Sequence, residues 1–316
     1  MSQIRTDWIW MNGRVAGWED GSVHVSSHAL HYGSGVFEGI RCYETDGGPA
    51  VFRLDAHLDR FFASADAYCM TIPFTRQQLE DAICDVIQRN GFSSCYVRPI
   101  AFYGADRLGV HPRNCPVEVA ILAWPWGSYL GDGGLESGVR ITVSPWVKFS
   151  HRMMPTTAKA CGQYVNSILA VRDAVSRGFD EALLLDEEGF IAEGSGENLF
   201  VVKDGKLSTN DGDSSILLGI TRDAVTRIAR DLGFEISIGQ LRLEDLLGSD
   251  ESFFTGTAAE VTPIREVDGT TIGSGGRGPV TKAIQDVFFA ATSGRDERYQ
   301  DWLYFVTRRP VAAECD

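Results

Sequence analysis

Short apolar runs with alternating polarity, separated by turn signals, recur along this chain and limit the folds open to it. In "NLFVVKDGKLSTN" an Asp-Gly pair separates two such runs, which indicates a β-hairpin. The runs around the Asn-Gly pair of "DWIWMNGRVAGWED", and "GSVHVSS" after them, also predict strands. Helical patterns are scattered between the strands, as in "DAHLDRFFASADAYCM", where Asp55 is the expected N-cap. This mixture favours an α+β fold over a doubly wound sheet.

One glycine-rich segment, "GSYLGDGGLESG" at residues 127–138, stands between two strand-forming stretches and is the best candidate for a linker. A chain of 316 residues is long enough for two domains. We therefore predict a first domain over residues 1–126 and a second domain over residues 139–316.

Charge and cysteine usage narrow the class of protein. The net charge of −14 argues against a partner that is nucleic acid or an anionic membrane surface. No apolar run approaches the roughly 18 residues of a membrane span, and no signal-peptide core is visible, so we expect a cytoplasmic protein. The seven cysteines include no CxxC pair, and His28 and His31 have no cysteine or carboxylate cluster beside them. We therefore expect reduced thiols and no metal site.

The lysines of the chain point to one position. Of the five, Lys148 precedes Phe149 in "SPWVKFSHRMM", Lys203 and Lys206 flank a predicted turn, Lys282 lies in a helical pattern, and only Lys159 lacks an obvious solvated face. It stands among small residues in "TTAKACGQYVNS". A poorly solvated lysine has a lowered pKa, and its neutral amine can form a Schiff base. On position alone, a lysine that extends from a loop into solvent is the favoured interpretation.

Other residues supply what a pyridoxal 5'-phosphate (PLP) site needs besides a lysine. Such a site needs an acid at the ring nitrogen, a polar group at the ring oxygen and a phosphate cup. Glu193 in "IAEGSGENLF", Tyr164 after the lysine, the helix start at residues 219–221 and Arg60 could fill these roles. Each also has an ordinary explanation, such as an exposed turn carboxylate, a helix N-cap or a solvated arginine.

Several longer segments, taken in their order along the sequence, strengthen the interpretation of these residues as a PLP site. They are "SHALHYGSGVFEGIRCY", "LDRFFASA", "YVRPIAFYG", "AWPWGSYLG", "MPTTAKACGQYVNS", "EALLLDEEGFIAEGSGENLFVVKDG", "LLGITRDAV" and "FFTGTAAEVTPIREVDG". Over roughly residues 7–305 the chain resembles the class IV (fold type IV) PLP aminotransferases, and among them the branched-chain amino acid aminotransferases. The resemblance implies a smaller N-terminal α/β domain and a larger C-terminal domain with a barrel-like mixed sheet. The cofactor would lie between them, beside a gating linker.

The resemblance also implies roles for the cofactor residues. Lys159 would form the Schiff base with PLP and move the proton of the substrate Cα. Glu193 would pair with the pyridine nitrogen, and Tyr164 would bond the ring oxygen. The phosphate residues would be Arg60, Ile220, Thr221 and Thr257.

The substrate residues follow from the same resemblance. The turn of Thr257, Ala258 and Ala259, helped by Tyr96, would bind the substrate carboxylate. Arg98, in "YVR", would take the γ-carboxylate of glutamate. The residues expected to line the side-chain pocket are Tyr32, Phe37, Gly39, Tyr129 and Tyr164. Tyr32 and the loop near Val110 would reach the pocket of a neighbouring subunit, so the chain is expected to form a homo-oligomer, at least a dimer.

The reaction that the resemblance implies is transamination of L-leucine, L-isoleucine or L-valine with 2-oxoglutarate, by ping-pong half-reactions that give branched 2-oxo acids and L-glutamate. Rivals of the same fold are a D-amino-acid or (R)-amine transaminase and a lyase of aminodeoxychorismate-like substrates. "YVR" and "GTAAE" favour the L-branched-chain enzyme. A PLP-free binding protein is the alternative from another class. The sequence departs from the family at Arg107, Arg113 and Gln163, which leaves the fine specificity open.

Overall fold

Two β-sheets organise the protein in a computed structural model that describes residues 4–127 and 133–306. The first sheet has eight strands, each antiparallel to its neighbours. Its strands are β1 (Trp8–Met11), β2 (Arg14–Gly17), β3 (Gly35–Phe37), β4 (Ile40–Tyr43), β5 (Ala50–Phe52), β6 (Cys95–Tyr103), β7 (Val117–Trp124) and β18 (Leu303–Phe305).

The order of these strands is β18-β5-β4-β6-β7-β1-β2, with β3 on the remaining part of β6. Strands β1 and β2 form the hairpin predicted from the Asn-Gly pair, and Asn12 and Gly13 both have the positive φ that such a turn requires. The strand predicted over residues 21–27 is wrong. Residues 21–25 are exposed, and the chain turns at Ser27, whose N–H donates to the carbonyl of His24, to begin helix α1 (His28–Tyr32).

Two amphipathic helices cover the first sheet. They are α2 (Leu54–Ala67) and α3 (Arg76–Arg89). Thr75 caps α3 and forms a capping box with Gln78. The predicted N-cap of α2 is wrong, because the helix is preceded by Arg53 in the left-handed region and Asp55 lies inside the first turn. There a carboxylate still favours the helix dipole.

The second sheet has ten strands, both parallel and antiparallel. They are β8 (Val139–Val143), β9 (Glu181–Leu185), β10 (Phe190–Gly194), β11 (Asn198–Lys203), β12 (Lys206–Thr209), β13 (Ile236–Ile238), β14 (Leu241–Arg242), β15 (Glu251–Gly256), β16 (Glu260–Val267) and β17 (Thr270–Thr271). The order is β13-β12-β11-β15-β16-β8-β9-β10-β14, with β17 on β16. Although four strands separate β10 from β11 in this order, the two contact each other, so the sheet curls towards a barrel.

The remaining helices are α4 (Gly134–Ser137), α5 (Tyr164–Ser176), α6 (Ile220–Asp231), α7 (Leu243–Leu247) and α8 (Pro279–Thr292). Two of them connect parallel strands, α5 between β8 and β9 and α6 between β12 and β13. In each unit the loop before the helix leaves the carboxyl end of a strand, where α/β proteins bind ligands. Lys159 lies in the first of these loops, and the second leads to the start of α6.

A shared apolar core joins the two sheets. Phe52 of the first sheet packs with Phe288 of α8 and with Trp302, and β18 returns to pair with β5. Strand β18, which follows the second sheet in the sequence, therefore belongs to the first sheet. The division into two domains stays a prediction, and residues 128–132 of the predicted linker lie outside the described residues. Within the described ranges, every helix is too short or too polar to cross a membrane.

Candidate active site

The backbone around Lys159 is held by the first sheet. The N–H of Lys159 donates to Ser64 Oγ of α2 at 2.9 Å, and its carbonyl accepts from the N–H of Phe37 at 3.0 Å. An isolated bridge between Val36 and Ala160 continues this pairing. The lysine is therefore fixed on a loop that lies against the first sheet and its covering helix.

The side chain of Lys159 is partly buried. Its ammonium donates to Tyr164 Oη at 2.6 Å and lies 5.1 Å from the ring centre of Phe37. Burial, which is the largest cause, and the charge of Arg60 lower the pKa of Lys159 to about 8 against the opposing charge of Glu38. Burial also raises the pKa of Tyr164, and the charge of Glu193 adds to this, so Tyr164 keeps its proton.

Glu193 lies near the end of β10 and is buried, at 6% exposure, rather than lying in an exposed turn. Its Oε1 pairs with Lys148 Nζ at 2.7 Å. Its Oε2 accepts from the N–H of Leu217 at 3.0 Å and from Asn198 Nδ2 at 3.2 Å. The expectation that only Lys159 lacks a solvated face is wrong, because Lys148 is also buried, at 7% exposure.

The start of α6 offers an anion site. Gly219 is the N-cap, and since glycine has no side chain to cap the helix, the N–H groups of Ile220 and Thr221 stay available to a ligand. Arg60 Nη1 donates to the carbonyl of Leu218 at 3.1 Å, which brings its guanidinium to the same place.

A buried carboxylate holds Arg60. Glu38, which is fully buried, accepts from Arg60 Nε at 2.6 Å and Nη2 at 2.9 Å, and from His57 Nδ1 at 2.7 Å. Burial acts to raise the pKa of Glu38, but the charge of Arg60 and the hydrogen bonds from His57 and Arg60 outweigh it and lower the pKa. Burial lowers the pKa of His57 despite Glu38, so a neutral imidazole donates to the carboxylate.

The turn between β15 and β16 is fixed by Arg41 of the first sheet. Arg41 Nε donates to the carbonyl of Thr257 at 2.9 Å, and Nη2 donates to that of Ala258 at 3.1 Å. Arg41 also pairs with Glu260, which has a φ of 55° and accepts from Tyr43 Oη at 2.9 Å. Because both carbonyls face Arg41, the turn is held rigidly where it borders the cavity.

Aromatic rings surround Arg98. Its guanidinium lies 4.7 Å from the ring centre of Phe37, 5.4 Å from Tyr96 and 5.8 Å from Trp124. Among the described residues its buried Nε has no hydrogen-bond partner. A cation with an unused donor in an aromatic wall suits the binding of a carboxylate.

Two adjoining cavities meet at Lys159 and Tyr164, with volumes of about 220 Å³ and about 40 Å³. The smaller one contains Glu193. The larger one brings together most of the residues predicted from the sequence: Phe37, Gly39, Arg60, Tyr96, Arg98, Lys159, Tyr164, Ile220, Thr221, Thr257 and Ala258.

Three predicted residues within the described ranges, Tyr32, Val110 and Ala259, do not line these cavities. Tyr32 and Val110 are 45% and 85% exposed, and Ala259, the last residue of the turn, is buried. Tyr129 lies outside the described residues.

The residues present fit PLP. The cavities combine a partly buried amine, a phenol and a buried carboxylate with an uncapped helix start beside an arginine. The buried Oγ1 of Thr255, which borders the larger cavity, has no partner within the described part of the chain. These groups match an aldehyde, a ring oxygen, a ring nitrogen and a phosphate.

The sequence prediction missed several site residues. Glu197 borders both cavities, and burial together with the charge of Glu181 raises its pKa well above the usual value. Lys148 lines the smaller cavity, while Glu38, His57 and Arg41 act behind the residues that line the cavities. Only Lys148 carried a sequence signal, since it stands between Trp146-Val147 and Phe149.

Comparisons with known proteins agree with the geometry. Residues 35–267 match the family described as amino-transferase class IV. The branched-chain-amino-acid aminotransferase of Escherichia coli (strain K12) is 46% identical over 304 residues, 96% of this chain and 98% of that protein. That of Pseudomonas aeruginosa is 44% identical, over 94% of this chain and 97% of that protein. A solved branched-chain amino acid aminotransferase from T.th., complexed with N-(5'-phosphopyridoxyl)-L-glutamate, superimposes with a TM-score of 0.93 at 49% identity, over 96% of this chain and 100% of that one.

Proposed function

The chain belongs to the class IV aminotransferase family, and from this we propose that it transfers the amino group of L-leucine, L-isoleucine or L-valine to 2-oxoglutarate. It is a fold type IV, PLP-dependent branched-chain aminotransferase. The observation that carries the finer proposal is Lys159, whose amine has a pKa lowered to about 8 at the junction of the two cavities.

When bound, PLP would supply the aldehyde that takes the amino group and a ring that accepts an electron pair. Arg60 and the N–H groups of Ile220 and Thr221 would bind its phosphate, with Thr257 on the facing turn. Tyr164 would donate to the ring oxygen, and Glu193 would face the ring nitrogen from the smaller cavity.

Lys159 is the residue that we assign to proton transfer. A pKa of about 8 leaves roughly a tenth of the amine neutral at pH 7, so Lys159 can accept a proton from the substrate Cα and return it. Tyr164 Oη, 2.6 Å from Nζ, orients the amine. The ring of Phe37 limits the access of water to one side of it.

Substrate selection follows from the wall of the larger cavity. The held turn at Thr257 and Ala258, with Tyr96, would bind the carboxylate that all the substrates share. Phe37 and Tyr164 provide apolar surface for a branched side chain. Arg98 lies beside that surface and would bind the second carboxylate of glutamate or 2-oxoglutarate.

We further propose a homo-oligomer, at least a dimer, in which Tyr32 and the loop of Val110 complete the site of a partner. Both residues are exposed large side chains outside the cavities, with Leu30 and Leu108 beside them at 61% and 55% exposure. When subunits carrying Lys159→Ala are mixed with subunits carrying Tyr32→Ala, about a quarter of the activity should return. About half of the dimers would then be mixed, and each mixed dimer has one intact site of two. Activity of a monomer would contradict this proposal.

The visible spectrum of the PLP-loaded protein tests the reaction. L-Leucine should abolish the absorbance band of the bound aldehyde, and 2-oxoglutarate should restore it, while Lys159→Ala should show neither change. A response to D-alanine or an (R)-amine in place of L-leucine would move the function to those transaminases. A protein that takes up no PLP would reject the enzyme.

A further inference from the structure

Lys148 and Glu193 form an ion pair in which both side chains are only 8% exposed. The backbone of Lys148 is held on both sides, because its N–H donates to the carbonyl of Leu185 at 2.8 Å and Asn166 Nδ2 donates to that of Val147 at 3.0 Å. The ring of Phe149 covers the ammonium at 4.7 Å. The lysine is therefore held in one position, and it has a buried charge for which Glu193 is the partner.

The other oxygen of Glu193 connects it to the phosphate cup. It accepts from the N–H of Leu217, two residues before the N-cap of α6, and from Asn198 Nδ2. Asn198 Nδ2 also donates to the carbonyl of Leu217 at 2.8 Å. Both oxygens of the carboxylate are thus oriented, and Lys148 is the cation that balances its charge.

We propose that Lys148 is a positioning residue, which balances the buried charge of Glu193, keeps that carboxylate aimed at the ring nitrogen and thereby sets how tightly this site holds PLP. The inference rests on the proposed function, since it needs PLP in these cavities. Without Lys148, Glu193 would be a buried carboxylate held by N–H donors alone, with no cation to balance its charge.

Two comparisons between variants distinguish this positioning role of Lys148 from a role in packing alone. An arginine at this position keeps the charge, whereas a methionine keeps only the apolar stem. If Lys148 acts through Glu193, loss of Lys148 should not weaken PLP binding further in a protein in which Glu193 has already been replaced by an uncharged amide.

The experiment is a titration of the cofactor-free protein with PLP between pH 6 and pH 9, followed by the visible band. The variants are Lys148→Met, Lys148→Arg, Glu193→Gln and the double variant Lys148→Met/Glu193→Gln. Lys203→Met, which removes an exposed ion pair with Asp250, is the matched control. Thermal unfolding of each cofactor-free variant reports on folding.

We expect Lys148→Met to weaken PLP binding by roughly tenfold, because the carboxylate that faces the ring nitrogen loses its balancing cation and its fixed position. Lys148→Arg should restore most of the affinity. The double variant should bind no more weakly than Glu193→Gln alone. If Lys148→Met alone does not fold, the double variant still tests the inference, because the double variant buries no unpaired charge.

The inference is overturned if Lys148→Met binds PLP like the wild type, if Lys148→Arg does not rescue, or if the two losses multiply in the double variant. A wild type that takes up PLP but does not react with L-leucine would reject the proposed reaction alone. A wild type that takes up no PLP would overturn both.

Discussion

Lys159 Nζ lies 2.6 Å from Tyr164 Oη, at the junction of two cavities that both border the lysine. The phenol keeps its proton because burial and the charge of Glu193 raise its pKa. It therefore serves Lys159 as a neutral acceptor, which favours the ammonium form against the burial that disfavours it. Burial is the larger effect, so the pKa of Lys159 is lowered to about 8, close to neutral pH.

Tyr164→Phe removes that acceptor, so the pKa of Lys159 should fall below about 8, by roughly one pH unit. The rate of PLP uptake by the cofactor-free protein reports this titration, since only the neutral amine attacks the aldehyde. In the wild type the rate should rise through about pH 8, and in the variant the rise should come at lower pH. Tyr103→Phe is the control, because the hydroxyl of Tyr103 donates to the carbonyl of Cys69 and Tyr103 lines neither cavity. An unshifted profile in Tyr164→Phe would contradict the role of the hydrogen bond.

Lys159→Met should stabilise the cofactor-free protein, by roughly 1 kcal/mol at pH 7, because it removes a poorly solvated charge. The pKa of Lys159 falls from 10.5 to about 8 in the folded state. Between these values the unfolded chain holds a proton that the folded chain has lost, so wild-type stability rises with pH. The advantage of the variant should therefore shrink between pH 8 and pH 10.5. Urea unfolding measures this difference in stability, and Lys282→Met, at an exposed position, is the control.

Much of the fold could be predicted from local patterns. The alternation around the Asn-Gly pair of β1 and β2 and in the β11–β12 hairpin, and the apolar stripe of α2, predicted elements that the structure contains. The same alternation over residues 21–27 predicted a strand that does not form, because no neighbouring strand of the described chain pairs with it. Alternation with a period of two predicts which face of a strand is buried. Whether a partner strand lies beside it depends on the tertiary structure.

The supporting residues of the site could not be predicted in this way. Glu38 and Arg60 are 22 positions apart, and Arg41 meets the turn at Thr257 across 216 positions. No spacing rule connects such residues, since the tertiary structure alone brings them together. Lys148 is the instructive case, because the lack of a solvated face that drew attention to Lys159 holds for Lys148 as well.

Glu38→Gln should destabilise the cofactor-free protein by about 3 kcal/mol at pH 7, because it leaves the charge of Arg60 without its buried partner. The pKa of Glu38 lies well below the ordinary 4.5, so the wild type keeps this stabilisation above pH 4.5 and loses it progressively as the pH falls further. Urea unfolding at pH 7 and at about pH 4 should show the gap between wild type and variant narrowing. Glu187→Gln, at an exposed position, should show no gap at either pH.

Arg98→Met should separate the two kinds of substrate. Loss of one charge-assisted hydrogen bond is worth about 2 kcal/mol, so kcat/KM for L-glutamate should fall roughly 30-fold while that for L-leucine changes little. Arg89→Met removes an arginine that lies near the ring of Trp8 and lines neither cavity, and it should change neither value. Equal losses for both substrates would mean that Arg98 only supports the aromatic wall.

Gly39→Ala tests how closely the wall of the pocket is built. A Cβ at this position would overlap the hydroxyl of Tyr96 and approach its Cζ to 2.8 Å, and the rigid ring must move. Since Tyr96 is assigned to the substrate carboxylate, KM for L-leucine should rise by roughly tenfold or more, at a cost in stability of about 1–3 kcal/mol. Gly239→Ala, where a Cβ meets nothing within 4 Å, should leave both quantities unchanged. A variant with reduced stability but unchanged KM would show that Tyr96 moves without disturbing substrate binding, and would remove Tyr96 from the carboxylate site.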